Sequence, residues 1–393
     1  MRMKLHIPKE NDAIETRVAG SPETVKKLCA LGFEVSVQKS AGSGARISDK
    51  VFVEAGATIG TAKSAGQADV ILKVRRPTPK EAASYKKGAL VLASMDPFGA
   101  ESDVAALAKA GVSAFAMEFM PRISRAQVMD VLSSQANLAG YQSVIDAAEV
   151  YDRAMPMMMT AAGTVPAAKV FVMGAGVAGL QAIATARRLG AIVTATDVRP
   201  AAKEQVESLG AKFVAVEDDE FKQAETAAGY AKEMSKEYQA KQAELVAKHI
   251  AKQDIVITTA LIPGRPAPRL VTKKMMSAMG DGSVLVDLAV ERGGNVEGAI
   301  AGKIAKVGNV SVVGYLNMAG RIAASASLLY AKNLYSFLET MVDKETGKLN
   351  VDWDDELVSA TLLTKGGKIV HPAFAPKPAA PRKRTPKKAG EAK

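Results

Sequence analysis

The sequence predicts an α/β protein in which two doubly wound, mostly parallel sheets are joined by long helices. Three observations lead to this expectation. The 393 residues are enough for about two domains. Short apolar runs alternate with helical stretches along most of the chain, and a glycine-rich turn joins a strand to a helix near the middle. Hydrophobic residues make up 48% of the chain and charged residues 24%, so a packed core is expected and disorder throughout is excluded.

The first third of the chain carries five short apolar runs, each bounded by glycine, proline or charge, as buried strands of a parallel sheet are. They lie at residues 4–8, 34–38, 68–74, 89–94 and 113–118. Helical patterns lie between them, at 21–31 and 101–110. The pattern then predicts one long helix from residue 124 to about 151, which we expect to link two domains.

A second series of six apolar runs follows and predicts a second doubly wound sheet. These runs lie at residues 170–173, 192–196, 213–216, 255–259, 284–288 and 310–313. The polar stretch 217–252 predicts a mobile loop followed by a helix. Residues 323–342 are helical in pattern, and we expect this helix to return to the first domain. We therefore predict a first domain of residues 1–135 and 322–375, a second of 136–321, and a disordered basic tail, 376–393.

The charge and the cysteine content exclude several classes of protein. Of the net charge of +11, a net +6 lies in the tail PKPAAPRKRTPKKAGEAK, which has no aromatic residue to stack on a base, so no nucleic acid partner is expected. A solvated tail is favoured, and an electrostatic tether to an anionic membrane or partner is the alternative. A single cysteine, Cys29, excludes a disulfide within the chain and a cysteine-rich metal site, so no metal is expected. No signal peptide and no apolar stretch of about 20 residues is visible.

The glycine-rich turn predicts a dinucleotide site. The strand at 169–173 leads into Gly174, Gly176 and Gly179 and then into a helical pattern. Such a turn lets the backbone N–H groups at the start of a helix approach a pyrophosphate. Asp197 ends the next strand, 18 residues after Gly179, where a carboxylate that accepts from the adenine ribose is expected. This favours NAD(H) over NADP(H), although Arg199 lies nearby, and a glycine turn needed only for packing is the alternative.

A second group of polar residues lies at the start of the long helix. Arg122, Gln127, Asp130 and Ser133 combine a cation, an amide, a carboxylate and a hydroxyl, a set suited to a nicotinamide carboxamide and its ribose. A solvated start of a helix explains the same residues equally well.

The three histidines, His6, His249 and His371, lie beside neither motif. A dehydrogenase that oxidises an alcohol or amine must move a proton as well as a hydride. Hydride transfer between two nicotinamide rings needs no proton transfer, only juxtaposed rings and excluded water.

Several segments resemble the NAD(H)-binding component of proton-translocating nicotinamide nucleotide transhydrogenase, which is homologous to alanine dehydrogenase. They are MPRISRAQVMDVLSSQANLAGYQ, MMMTAAGTVPAAKVFVMGAGVAGLQAIATARRLGA, TDVRPAAKEQVESLGAKF, GYAKEM and TTALIPGRPAP. The resemblance implies two Rossmann-like domains flanking a cofactor cleft that holds NAD(H), and a homodimer. It also implies two partners: a membrane-spanning subunit that conducts protons and a subunit that binds NADP(H).

The resemblance assigns roles to residues of this chain. The family's Arg-Gln-Asp loop and its serine match residues that we expect to be catalytic, together with the tyrosine of the mobile loop: Arg122, Gln127, Asp130, Ser133 and Tyr230. The expected cofactor contacts are Arg122, Ser124, Arg125, Ser133, Gly174, Gly176, Val177, Gly179, Asp197, Val198, Arg199, Gly229, Gln242 and Leu261. The matched glutamine is expected to bridge the two nucleotides.

Two departures separate this chain from alanine dehydrogenase. Residues 73–77 read KVRRP where an amino-acid dehydrogenase is expected to read KVKEP, and residues 93–98 read ASMDPF, without the histidine expected after this strand. We therefore expect reversible, direct hydride transfer between NADH and NADP⁺ bound on a partner, coupled to proton translocation through separate membrane subunits. The chain is expected in the cytoplasm, attached peripherally to the inner membrane through those partners. An alanine dehydrogenase-like enzyme and a non-catalytic NAD-responsive protein are the alternatives.

Overall fold

The computed structural model describes residues 2–223, 234–262 and 264–375. The strands found in these ranges are β1 (Met3–Ile7), β2 (Phe33–Gln38), β3 (Thr58–Gly60), β4 (Val70–Arg75), β5 (Leu90–Ser94), β6 (Ser113–Ala116), β7 (Met158–Thr160), β8 (Gly163–Val165), β9 (Lys169–Met173), β10 (Ile192–Thr196), β11 (Lys212–Phe213), β12 (Ile255–Thr258), β13 (Val284–Asp287), β14 (Ile304–Val307), β15 (Val310–Val313), β16 (Val342–Asp343), β17 (Lys348–Leu349), β18 (Leu362–Lys365) and β19 (Lys368–Ile369).

The helices of the described ranges are α1 (Pro22–Ala30), α2 (Asp49–Glu54), α3 (Pro79–Ser84), α4 (Glu101–Ala110), α5 (Val131–Val150), α6 (Val177–Arg188), α7 (Ala202–Ser208), α8 (Asp219–Lys222), α9 (Lys236–Ile250), α10 (Lys273–Met276), α11 (Ala323–Glu339) and α12 (Glu356–Thr361). Short 3-10 helices include Ser124–Met129, Val290–Arg292 and Met318–Ile322. No helix in the described portion of the chain combines the length and the apolar character that a membrane crossing requires.

The first sheet has eight strands in the order β19-β18-β6-β5-β4-β1-β2-β3. Strands β1 to β6 pair in parallel, and the C-terminal strand β18 adds antiparallel to β6. Strands β4 and β5 are buried almost throughout, which explains why their sequences are mainly apolar rather than alternating. The charged Lys73 within β4 is buried in ion pairs with Glu10 and Glu81. We call this sheet and the elements packed on it the first unit.

The second sheet has the order β11-β10-β9-β12-β13-β15-β14 and forms the second unit. From β9 the chain runs outward to β10 and β11, then crosses to β12 on the other side of β9, so the strand order reverses between β9 and β12. In doubly wound sheets, ligands bind at this switch point, beyond the carboxyl ends of the strands. The predicted fold class is confirmed. The sequence missed β14, which pairs antiparallel with β15 and is half exposed.

The predicted single helix over residues 124–151 is wrong. The 3-10 helix Ser124–Met129 ends before Asp130, whose ψ of 95° breaks the helical path, and α5 begins at Val131. Asp130 is the N-cap of α5, because its carboxylate accepts from the Ser133 backbone N–H at 2.8 Å. Aspartate is among the residues that cap helices best, and this local bond competes with helix continuation.

Helices α5 and α11 connect the two units. Helix α5 crosses α6 so closely that a Cβ on Gly140 would lie 2.0 Å from the carbonyl oxygen of Ala178. Helix α11 packs beside α5, where the Gln135 side chain donates to the Ala326 carbonyl at 3.1 Å. The chain then returns to the first sheet through β18 and β19. The glycine at position 140 therefore sets how near α5 lies to the start of α6.

Candidate functional site

The glycine turn lies at the switch point of the second sheet, between β9 and α6. A Cβ on Gly174, whose φ is +104°, would lie 2.5 Å from Thr259 Oγ1, and one on Gly179 would lie 1.8 Å from the Gly174 carbonyl oxygen. A Cβ on Gly176 would meet nothing within 4 Å among the described residues. Packing therefore explains Gly174 and Gly179 but not Gly176. Gly176 is the N-cap of α6, and among the described residues no side chain caps the N–H groups of this helix start.

Asp197 follows β10 and lies beside the glycine turn. Its Oδ2 accepts from the Ala175 backbone N–H at 2.7 Å, and its Oδ1 accepts from the backbone N–H of Arg199 at 2.9 Å. The Arg199 guanidinium also donates to both carboxylate oxygens, at 2.9 and 3.1 Å. A carboxylate accepts about four hydrogen bonds. Arg199 must therefore release Asp197 before a ribose hydroxyl can donate to it.

Three predicted apolar contacts are exposed near the carboxyl ends of neighbouring strands. The exposed fractions are 41% for Val177, 52% for Val198 and 52% for Leu261. These residues follow β9, β10 and β12, the strands that border the switch point. Exposed apolar side chains at the edge of a cleft are suited to the two faces of a flat ring.

Gln242, predicted as a cofactor contact, bonds to the protein at both ends of its amide. Its Oε1 accepts from the Val216 backbone N–H at 2.8 Å, and its Nε2 donates to Thr196 Oγ1 at 3.2 Å. The side chain thus ties α9 to the end of β10, next to Asp197. Tyr230 and Gly229 lie outside the described residues.

The second group of predicted residues surrounds the start of α5. The Ser133 hydroxyl donates to Asp130 Oδ2 at 2.5 Å, so these two side chains form one unit. Arg122 and Gln127 are exposed, and neither side chain bonds to another residue within the portion of the chain that the structure describes. The cation and the amide are therefore available to a ligand, while the carboxylate and hydroxyl are already paired.

Arg125, predicted to contact the cofactor, is paired with another residue of the chain. Its guanidinium forms a two-bond ion pair with Asp355, at 2.8 and 3.1 Å, and Asp355 is the N-cap of α12. A hydrogen bond from Arg125 lowers the pKa of Asp355. Ser124 is exposed at the start of the same 3-10 helix. A cofactor contact by Arg125 stays a prediction and requires this pair to open.

The crossing of α5 and α6 relates the two groups of residues. Ser133 precedes Gly140 by seven residues, about 10 Å along a helix, and Gly140 contacts Ala178 in the first turn of α6. Asp130 and Ser133 thus lie at the start of α5, and the glycine turn lies about two turns further along the same helix.

Sequence reasoning missed the residue that holds the segment before Leu261. Asn295 is fully buried, its Oδ1 accepts from the Ala260 N–H at 3.1 Å, and its Nδ2 donates to the Ala260 and Pro268 carbonyls at 2.9 and 2.8 Å. A single asparagine between glycine and valine carries no sequence signal for this role.

Each histidine has a structural explanation away from the glycine turn. Burial lowers the pKa of His6 to about 4, and its Nδ1 is 2.7 Å from Ser36 Oγ. His249 lies against the second sheet, where its Nε2 is 2.8 Å from Thr194 Oγ1. His371 stacks on Phe119 at 4.8 Å between ring centres. None of these side chains is placed to exchange a proton with a ligand on Gly176.

A concavity of about 720 Å³ lies elsewhere, between residues 14–16 and 316–325, and none of the predicted cofactor residues lines it. The site described above is defined by chemistry at the switch point and not by cavity size.

Comparisons with known proteins match nearly the whole of the described chain. The family model described as "Alanine dehydrogenase/PNT, N-terminal domain" matches residues 6–139, and "Alanine dehydrogenase/PNT, C-terminal domain" matches residues 143–372. A relative from Rhodospirillum rubrum, named as the first part of NAD(P) transhydrogenase subunit alpha, is 56% identical over 379 residues, which are 95% of this chain and 99% of that protein.

Two solved structures are similar along the whole fold. The structure of a transhydrogenase from Sinorhizobium meliloti is 67% identical, with a TM-score of 0.86, over 93% of this chain and 100% of that one. The structure of an L-alanine dehydrogenase is 25% identical, with a TM-score of 0.78, over 95% of this chain and 98% of that one.

Proposed function

Because the chain belongs to the alanine dehydrogenase/PNT family, we propose that it is the NAD(H)-binding subunit of a proton-translocating transhydrogenase. In this proposal it passes hydride reversibly and directly between NADH and NADP⁺, the latter held by a partner subunit. It is active only with its partners, forms a homodimer, and is attached to the membrane through a membrane-spanning subunit. The Rhodospirillum rubrum relative is named as only the first part of a subunit alpha, which supports the expectation of further subunits.

One observation carries the choice of reaction: among the described residues, no histidine lies beside the glycine turn or beside the polar group at the start of α5. At the second lysine of the KVKEP segment expected in an alanine dehydrogenase-like enzyme, this chain has Arg75, which is paired with Glu15 at 2.7 Å. Oxidation of an amine needs a proton acceptor, whereas hydride transfer between two nicotinamides does not. The geometry therefore favours transhydrogenation.

The residues of the second unit fit a bound dinucleotide. The open space at Gly176 is the room that a Cβ would fill, and the uncapped N–H groups of α6 suit a pyrophosphate. Asp197 would accept from the adenine ribose once Arg199 turns away, and its charge would repel a 2′-phosphate. Val177, Val198 and Leu261 would exclude water around the adenosine side.

The residues of the first unit orient the reactive end. When bound, NAD(H) supplies the nicotinamide ring that gives up or accepts the hydride. Arg122 and Gln127 would donate to the carboxamide, while the Asp130–Ser133 unit would hold it and the adjoining ribose. Tyr230, next to Gly229, would close over the nucleotide. These groups bind, orient and exclude water, and none of them needs to move a proton.

The decisive experiment mixes the purified chain with a recombinant NADP(H)-binding component, NADPH and an NAD⁺ analogue whose reduced form absorbs at its own wavelength. We expect rapid reduction of the analogue only when both proteins are present. In the control, the chain alone is mixed with alanine and NAD⁺. Formation of NADH that depends on alanine would refute the proposal in favour of an amino-acid dehydrogenase.

A further inference from the structure

The loop that follows β5 has an unusual backbone. Asp96 has a φ of +42°, in the left-handed region that residues other than glycine rarely adopt. Residues held there cost free energy unless their surroundings impose the conformation, and they concentrate at functional positions. This loop is also the segment whose sequence, ASMDPF, departs from the amino-acid dehydrogenases.

Two charged side chains of the first unit impose this conformation. Glu118 accepts from the backbone N–H groups of Met95, at 3.0 Å, and of Asp96. Arg76 donates to the carbonyl oxygens of the same two residues and is itself held by Asp103 at 2.9 Å. Both peptide groups of the strained stretch are therefore bound from the side of the first unit, and the Asp96 side chain points away from it.

The loop contacts the second unit at two places. The Asp96 carboxylate forms an ion pair with Arg292, in the 3-10 helix Val290–Arg292 that follows β13. Two residues further on, Phe98 packs against Gly264, where a Cβ would lie 3.1 Å from its ring. Gly264 comes three residues after Leu261, a predicted cofactor contact. The loop thus connects the first unit to the segment that lines the cofactor side of the second.

This contact differs from the neighbouring links between the units. Asn317 donates to the Ile14 carbonyl at 2.8 Å and to Glu15 at 3.2 Å, and these bonds are buried or half-buried. The ion pair is open to water, with exposed side-chain fractions of 55% for Asp96 and 46% for Arg292. It can therefore break and re-form without leaving a buried polar group unpaired, whereas the Asn317 bonds cannot.

We propose that Asp96 and Arg292 form a clasp that holds the two units at the spacing required for NAD(H) binding, and that both are positioning residues. The inference rests on the proposed function, because the groups that bind the nucleotide are divided between the units. Asp130 and Ser133 belong to the first unit, and Gly176 and Asp197 to the second. Holding both sets at the bound spacing in advance lowers the cost of binding. When the clasp is open, the residues that contact the nucleotide are unchanged, but part of the binding free energy is used to bring the two units together.

The test measures NADH affinity by fluorescence titration of the full chain alone. Asp96→Asn removes the charge while keeping a residue that tolerates the left-handed conformation, and Arg292→Gln removes the other charge. Exposed ion pairs contribute modestly, so each change should weaken NADH binding about two- to fivefold. Because they break the same pair, the double variant should be no weaker than either single one. Arg292→Lys should retain most of the affinity.

Salt and a matched ion pair supply two further readouts. At about 1 M salt the Debye length is about 3 Å, so the NADH affinity of the wild-type chain should fall toward that of the variants. The double variant has no ion pair to screen, so salt should weaken its NADH affinity less. The Glu23–Lys27 pair has similar exposed fractions, 51% and 43%, and Glu23→Gln should leave NADH affinity unchanged.

With both partner components present, the clasp variants should show a raised KM for the NAD⁺ analogue and an unchanged kcat. Wild-type-like NADH affinity in both single variants, or additive losses in the double variant, would overturn the clasp. A wild-type chain that does not bind NADH at all would instead refute the proposed function.

Discussion

At the scale of the residue, the three glycines of the turn have different surroundings and therefore predict different outcomes. Gly176→Ala adds a methyl group to open space at a φ of −77°, which alanine adopts freely, so thermal stability should be unchanged. NADH affinity should fall about tenfold or more, because the methyl group occupies the room for the pyrophosphate. Gly179→Ala places a Cβ 1.8 Å from a backbone oxygen and should cost about 1–3 kcal/mol of stability.

Thermal denaturation and NADH titration of both glycine variants check this prediction. Gly174 and Gly179 are explained by packing alone, so only Gly176→Ala separates binding from folding. A stable Gly176→Ala chain with wild-type affinity would show that the turn does not hold the nucleotide.

Single residues also show where prediction from sequence stops. The position of Asp197 is predictable, because it depends on a spacing along one strand–helix–strand unit. Sequence patterns do not predict which side chains form ion pairs in the folded chain. Arg199 pairs with Asp197, Arg125 with Asp355 and Arg292 with Asp96. Two of these pairs join residues far apart in the chain, and their partners are fixed by tertiary packing that no local pattern encodes.

At the scale of the element, Asp130 is the N-cap of α5 and also a proposed contact of the nucleotide, and two variants separate these roles. As the N-cap of α5 it should contribute about 1 kcal/mol to stability, which Asp130→Ala loses and Asp130→Asn keeps, since asparagine caps as well as aspartate. If its charge also orients the nucleotide, Asp130→Asn should lower the rate of hydride transfer at unchanged thermal stability. Transfer assays and thermal denaturation of the two variants check this expectation, and a wild-type rate of transfer in Asp130→Asn would limit Asp130 to capping.

The elements with strong local patterns are predictable, and those defined by distant contacts are not. The buried strands β4, β5, β9 and β12 are mainly apolar segments that the sequence pattern identifies. Strand β18 escapes prediction, because it exists only where it pairs with β6, across about 250 residues of chain. The break at Asp130 has no signal in the pattern because the apolar periodicity continues through it, while a single side-chain hydrogen bond decides the geometry.

At the scale of the whole molecule, a buried carboxylate near the junction of the units predicts how acid affects stability. Burial disfavours the charged form of Glu15, but hydrogen bonds and charge from Arg17, with the charge of Arg75, outweigh it and lower the pKa to about 2. Glu15 also accepts from Asn317 of the second unit at 3.2 Å. Since the folded pKa lies below the ordinary value of 4.5, the stabilisation is complete above pH 4.5 and is lost as the pH falls toward 2.

Glu15→Gln should therefore lower the free energy of unfolding by about 3 kcal/mol at neutral pH, and the difference from wild type should shrink as the pH falls below 4.5. Urea denaturation of both chains between pH 7 and pH 3 measures it, with the exposed Glu23→Gln as the matched control, for which the difference should be small throughout. A difference for Glu15→Gln that stays constant across this range would mean that its ionisation does not stabilise the fold. A shrinking difference would show that the ionised Glu15 carboxylate stabilises the folded chain.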